Sequence, residues 1–159
     1  MKNSKIMKAS IIPFDSKYAK DFARLNIEWL EKYFVVEPLD KELLEQCEET
    51  IINKGGYIFF AKVDEEIAGT FSLIKIENGV YELGKMAVSP KFQGYKIGQQ
   101  LLEYCINFSK KQDWKKLILY SNRILENAIY IYSKFGFKEI PLEDNPLYKR
   151  SNIKMELLL

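Results

Sequence analysis

Apolar positions in the first third of the chain recur at helical spacing. Tyr18, Phe22, Leu25 and Trp29 lie three or four residues apart on one face, which predicts a helix running to about Tyr33 after the cap residues Asp15 and Ser16. Before it, Lys8 to Phe14 reads as an edge strand. A second helix is signalled by Asp40 ahead of Leu43, Leu44, Cys47 and Ile51 and is stopped by Gly55 and Gly56. From Tyr57 the pattern changes to short runs of isoleucine, phenylalanine and valine between turn residues. Three strands are predicted, Tyr57 to Val63, Ile67 to Ile76 and Val80 to Val88, and Asn78–Gly79 predicts a type I′ hairpin turn between the last two. After Pro90, Ile97, Leu101, Leu102, Cys105 and Phe108 mark a helix to about Lys111. Leu117 to Tyr120 then reads as a buried strand. Leu125, Ala128, Ile129, Tyr132 and Phe135 mark a last helix with Gly136 in the C-cap position, and Phe137 to Ile140 and Asn152 to Leu157 close as strands. This order indicates an α/β, more narrowly α+β, fold in which helices cover a mixed sheet.

Composition narrows what such a fold could do. No repeat, low-complexity tract or linker divides residues 1–159, so the chain reads as a single domain, and 47% hydrophobic content is enough for a core without disulfides or metals. A net charge of +2 marks neither nucleic acid nor an anionic membrane as partner. Met1 to Phe14 lacks the apolar stretch of a signal peptide, and apolar runs of about five residues fall short of the ~18 of a membrane span. Cys47 and Cys105 are far apart and outside any CxxC pair, which fits a reducing cytoplasm and offers no zinc pattern. The chain has no histidine. Proton transfer therefore falls to carboxylate, tyrosine, lysine or thiol.

Two stretches carry candidate chemistry. Met86-Ala87-Val88-Ser89-Pro90-Lys91-Phe92-Gln93-Gly94-Tyr95-Lys96-Ile97-Gly98 is a strand, a turn and a helix start. Backbone N–H groups at such a helix start have no internal partner and sit at the positive end of the helix dipole, so they attract anions such as a pyrophosphate. On the residues alone, Gly94 and Gly98 serve equally for tight helix packing. The spacing matches neither a GxxxxGK phosphate loop nor a GxGxxG turn. The second stretch runs from Asn122 to Phe137 and ends Tyr132-Ser133-Lys134-Phe135-Gly136-Phe137.

The first string resembles the acetyl-coenzyme A turn of the GNAT N-acetyltransferase family, whose pattern is Gln or Arg, two residues, Gly, one residue, then Gly or Ala. Gln93 and Gly98 match it, while Lys96 stands where the first motif glycine belongs. There a side chain either crowds the phosphates or contacts them through its ammonium. The second string resembles the late helix of the same family, and the resemblance spans about Lys8 to Leu158. It implies a mixed, mostly antiparallel central sheet of about seven strands flanked by about four helices.

Several roles follow from the resemblance. Tyr132 falls at the tyrosine that protonates the departing thiolate, a phenol with ordinary pKa near ~10 facing a thiol near ~8.5. Glu82 aligns with a carboxylate that acts as base, directly or through water. Asn127 is the choice for a pantetheine contact, with Leu125 at the alternative position. The cofactor site comprises Met86, Ala87 and Val88, whose strand splays from Leu117 to Tyr120, and Gln93, Gly94, Tyr95, Lys96, Ile97 and Gly98. A backbone N–H there faces the thioester oxygen. Cys105, on an apolar stripe without a basic partner, reads as inert core.

The expected activity is acetyl-CoA-dependent N-acetylation of a primary amine, of a small molecule, by direct attack with no metal and no covalent enzyme intermediate. The coenzyme binds first and the amine enters from the opposite side. A non-catalytic acyl-CoA-binding sensor and a protein or peptide N-acetyltransferase stay open as alternatives. The acceptor region is expected at Trp29, Tyr33, Phe34 and Glu37 and at Asn145 to Tyr148. Glu31, Glu37 and Asp40 either attract a cationic amine or form a solvated helix face. Exposed strand edges allow a homodimer.

Overall fold

The computed structural model describes residues 5–159; Met1 to Ser4, the start of the expected domain, lie outside the described residues. Strand β1 (Ser10–Pro13) leads through a short 3-10 turn, Ser16–Tyr18, into α1 (Ala19–Tyr33). The Asp15 side chain accepts the Lys17 N–H at 3.0 Å, so the expected cap signal works one turn ahead of the helix proper. Helix α2 (Pro38–Glu45) begins earlier than expected, because Pro38 suits a first helical turn and Asp40 accepts the backbone N–H of Glu37 at 2.9 Å. A π-type turn, Glu48–Ile52, continues it towards Gly55.

The sheet follows: β2 (Tyr57–Val63), β3 (Glu66–Glu77) and β4 (Val80–Val88), then α3 (Ile97–Lys111), β5 (Lys116–Ser121), α4 (Glu126–Lys134), β6 (Lys138–Ile140) and β7 (Ile153–Leu158). The seven strands lie in the order β1-β2-β3-β4-β5-β7-β6. Neighbours are antiparallel except at β4–β5, which is parallel because α3 crosses between them. The β3–β4 turn is not type I′, which needs positive φ at both central residues: only Gly79 has it (φ 81°), and a register irregularity follows at Lys75/Glu77.

Each face of the sheet has its own core. On one, Phe22, Leu25 and Leu30 of α1 and Leu43 and Leu44 of α2 pack on Ile58, Phe60 and Ala87. On the other, Leu101, Leu102 and Cys105 of α3 pack on Phe71, Leu83 and Leu119, with Ile131 and Tyr132 of α4 against them. The helices are thus divided between the faces, and β4 lies between both layers.

Two features of β4 make room for a site. Its pairing with β5 stops at Glu82↔Ile118. Beyond that point the two parallel strands part, and backbone groups of β4 that would have bonded to β5 face a gap. In addition, Ser72 pairs with Gly84 but Thr70 with Ala87, so β4 carries one extra residue in a bulge at Lys85, which takes a left-handed φ of 50°.

Candidate active site

The gap between β4 and β5 is the heart of a cavity of about 620 Å³ that reaches both faces of the sheet. Tyr81 and Leu83 belong to the α3–α4 core, so strand alternation turns Glu82 to the α1–α2 face. Alternation alone would send Lys85, three residues on, to the other face. The bulge cancels that step, and Lys85 reaches Asp40 of α2 with its Nζ 2.6 Å from Oδ1.

Glu82 is only 6% exposed and lines the cavity. Burial, opposed only in part by the charges of Lys85 and Lys154, pushes its carboxyl up to about 7. It is therefore not a solvated strand carboxylate, and near neutral pH it both holds and releases a proton. Beside it lies an ion network that the sequence pattern did not reveal. Arg150 donates to Asp40 twice, at 2.7 and 2.8 Å, and to Glu37 at 3.2 Å. Lys85 also donates to the Tyr148 hydroxyl at 3.2 Å, and both cations lie over the Tyr148 ring, 4.4 and 4.5 Å from its centroid. Burial would raise the carboxyl of Asp40, but the bonds from Arg150 and Lys85 outweigh it and hold it at about 2. Glu37 and Asp40 are accordingly neither a solvated helix face nor free to attract a cationic amine. Within this strand, a lysine amid apolar neighbours was the available signal; the bulge that redirects it was not.

On the opposite face, a 3-10 turn at Pro90–Phe92 leads through Gln93, Gly94, Tyr95 and Lys96 into α3. Gly94 has φ 88°, and a side chain built there would meet no atom within 4 Å. The turn therefore leaves open space over its backbone. Lys96 is the N-cap of α3 in the left-handed conformation, φ 64°, ψ 26°, and no side chain caps the helix. The first N–H groups of α3 are thus without a capping side chain, and Ile97, Gly98 and Gln99 line the cavity. A diphosphate fits this donor set, which supplies several amides, a dipole and the exposed Lys96 ammonium. Lys96 thus adopts a left-handed conformation that glycine takes at less cost.

Of the expected cofactor-site residues, Met86, Ala87, Val88, Gln93, Gly94, Lys96, Ile97, Gly98 and Asn127 line the cavity, as does the alternative Leu125. Tyr95 does not. Its side chain packs on the α3–α4 core and its carbonyl accepts the Met7 N–H. Tyr132 lines the cavity from α4, its ring 5.7 Å from that of Phe137. Burial pushes its phenol up to about 12, so it stays protonated. Cys105 is buried under α3 with its thiol raised by burial, which rules against a thiolate acyl carrier. Of the expected acceptor residues, Trp29, Tyr33, Phe34 and Tyr148 line the cavity, whereas Glu37 and Asn145 to Leu147 do not. No group of three or more potential metal ligands, and no helix long and apolar enough to cross a membrane, occurs among the described residues.

Comparison with known proteins bears on this arrangement. Residues 23–137 match the Acetyltransferase (GNAT) family. An uncharacterized N-acetyltransferase of Dictyostelium discoideum is 36% identical over 73 residues, which make up 46% of this chain and 32% of that protein. The alignment thus spans about a third of that relative's length. A GNAT-family acetyltransferase from Staphylococcus aureus Mu50 superposes with a TM-score of 0.84 at 26% identity, over 94% of this chain and 98% of that one. The PaiA N-acetyltransferase of Thermoplasma acidophilum, solved in complex with coenzyme A, has the same fold, with a TM-score of 0.74 at 21% identity over 96% of this chain and 100% of that one.

Proposed function

We propose, from the premise that this chain belongs to the acetyltransferase (GNAT) family, that it transfers an acetyl group from acetyl-coenzyme A to the primary amine of a small molecule. The observation that carries this reading is a single cavity running through the sheet, with Glu82 entering from one face and Tyr132 from the other. The complex of the Thermoplasma protein with coenzyme A supports the choice of cofactor.

The chain's own groups then have the following parts. The Gln93–Gly98 turn and the first amides of α3 hold the diphosphate, and the unpaired edge of β4 from Leu83 to Val88 bonds the pantetheine arm. The coenzyme supplies an activated acyl group as a thioester. Glu82, titrating near 7, takes the proton shed by the amine as the N–C bond forms and the C–S bond breaks. A β4 backbone N–H stabilises the oxygen as charge develops there. Tyr132, at about 12, is a weaker acid than the departing thiol near ~8.5, so it serves best by donating a hydrogen bond to the developing thiolate. The raised value makes complete proton transfer less favourable still than from an ordinary phenol near ~10.

Lys96 keeps the backbone conformation that a glycine would take and leaves its side chain exposed. This supports turnover over a purely sensing role. The two buried, unpaired thiols, Cys47 and Cys105, support a cytoplasmic setting. The test is incubation with acetyl-CoA and a panel of small amines, peptides and lysine-bearing proteins, read by free thiol release and product mass. Acetylated small amine is expected. Coenzyme binding with no release from any acceptor would overturn the reading.

A further inference from the structure

We infer that the acceptor half of the cavity selects a monoamine carried on an aromatic body and discriminates against polycations. The inference rests on the acetyl-transfer reading above and names the substrate class of that same site.

The charge on the cavity wall decides against polycations. Glu82 is the one carboxylate among the described lining residues, against the cations Lys85, Arg150 and Lys96. Asp40 and Glu37 lie close by but do not line the cavity. Asp40 has no exposed side-chain surface and is shared by Lys85 and Arg150. Glu37 accepts from Arg150 and, at 2.9 Å, from the backbone N–H of Lys149. Two carboxylates that could have met further ammonium groups are thus consumed internally, and the cations that neutralise them face the ligand. The one remaining carboxyl is the proposed base. An acceptor with several ammonium groups would find one carboxylate on this wall, and its remaining charges would face an ion network whose members are already paired with one another.

The shape of the wall indicates what takes the place of charge. The last turn of α1 presents Trp29 and Tyr33, with Phe34 just beyond it; the Trp29 ring lies 5.4 Å from Tyr33 and 5.7 Å from Phe34. All three line the cavity, with Leu30 and Ile74 adding to the apolar surface. Tyr33 is 40% exposed and Val35, next along, 70%. Tyr33 is thus both exposed and part of the cavity wall, and the aromatic surface it shares with Trp29 and Phe34 can stack an aryl group whose amine reaches Glu82.

Calorimetry on the protein saturated with coenzyme A, using 2-phenylethylamine and spermidine as probes, tests the inference apart from turnover. Binding of 2-phenylethylamine at least about ten-fold tighter than spermidine is expected, with the preference reduced to about three-fold or less in Trp29→Ala. Tyr33→Ala, at a more exposed position, serves if the first variant does not fold. Equal or tighter binding of spermidine, no binding of 2-phenylethylamine, or a preference untouched in whichever variant folds would overturn it. If the preference holds but neither amine is acetylated from acetyl-CoA, the proposed function fails and the binding-site inference stands.

Discussion

Lys85, Asp40 and Arg150 meet on the α1–α2 face from three separated segments and are held by buried charge, with Glu82 beside them on the cavity wall. On the α3–α4 face, the consecutive residues Gln93–Gly98 make their half of the cavity largely from backbone conformation. The two walls respond to different perturbations. A buried ion network is stable only while every member has its partner, because each charge has already lost its water. A turn of unpaired amides tolerates side-chain exchange provided φ and ψ are kept. Chemistry and specificity are expected to fail when the first wall is touched, and coenzyme affinity to decline gradually when the second is.

The sharpest break in this comparison is Glu82→Gln, expected to lower kcat/KM for acetyl transfer by ~10²–10⁴ while acetyl-CoA affinity stays within about two-fold. Steady-state kinetics beside calorimetry checks both halves. The same change is informative about stability. The folded carboxyl titrates near 7 against an ordinary 4.5, so the native state binds the proton more tightly, and the stability this contributes at low pH is lost as pH rises through 7. Glutamine has no proton to lose. The variant should match wild type at about pH 4 and exceed it by about 1–3 kcal/mol at about pH 8 in urea unfolding.

Asp40→Ala breaks the network from beneath the same wall. It leaves Lys85 and Arg150 buried without their shared partner and should cost about 3–5 kcal/mol in urea unfolding. In the wild type, the folded carboxyl at about 2 against an ordinary 3.8 contributes stability that is present above the ordinary value and lost as pH falls towards 2. The variant's acid unfolding, followed by circular dichroism, should lack that limb.

Tyr132→Phe tests the opposite wall at the side chain proposed to have a chemical role there. A thiolate is already a good leaving group, so a loss of only ~10–100-fold in kcat is expected, with KM for the amine unchanged. Lys96→Gly probes the backbone. Relief of a left-handed lysine, worth about 1 kcal/mol, is offset by the freedom glycine adds to the unfolded chain, so a thermal melt should move by no more than a few degrees. Acetyl-CoA affinity should fall about two- to five-fold below wild type at low salt, and the difference should nearly vanish at about 1 M salt because screening removes the wild type's advantage, as expected of an exposed ammonium.

The same contrast explains what could be read from residue order alone. The turn wall is contiguous, so Gln93, Gly98 and the late Tyr132 stand out as spacing, and the strand boundaries Val80 and Val88 follow from local apolar patterning. The ion wall is non-local. Nothing near Asp40 in sequence announces Lys85 or Arg150, and a two-residue period sends Glu82 and Lys85 to opposite faces until the bulge is known. Glu82 itself was legible only as a strand carboxylate aligned by resemblance; its raised pKa comes from burial, which packing alone decides. The hairpin turn differs for a smaller reason of the same kind: Asn78 lacks the positive φ that a type I′ turn needs, and the pairing that leads into the turn carries a register irregularity at Lys75/Glu77.

The central claim is that a carboxyl desolvated at the parting of β4 and β5 acts as the base. It is tested most directly by the pH dependence of kcat/KM, using an amine whose own pKa lies below about 6 so that its titration stays out of the window. Wild type should rise with unit slope to a plateau with an inflection near 7, and Glu82→Gln should be low and flat. An inflection in the ordinary carboxyl range near 4.5, or one near 7 that survives in Glu82→Gln, would contradict the account.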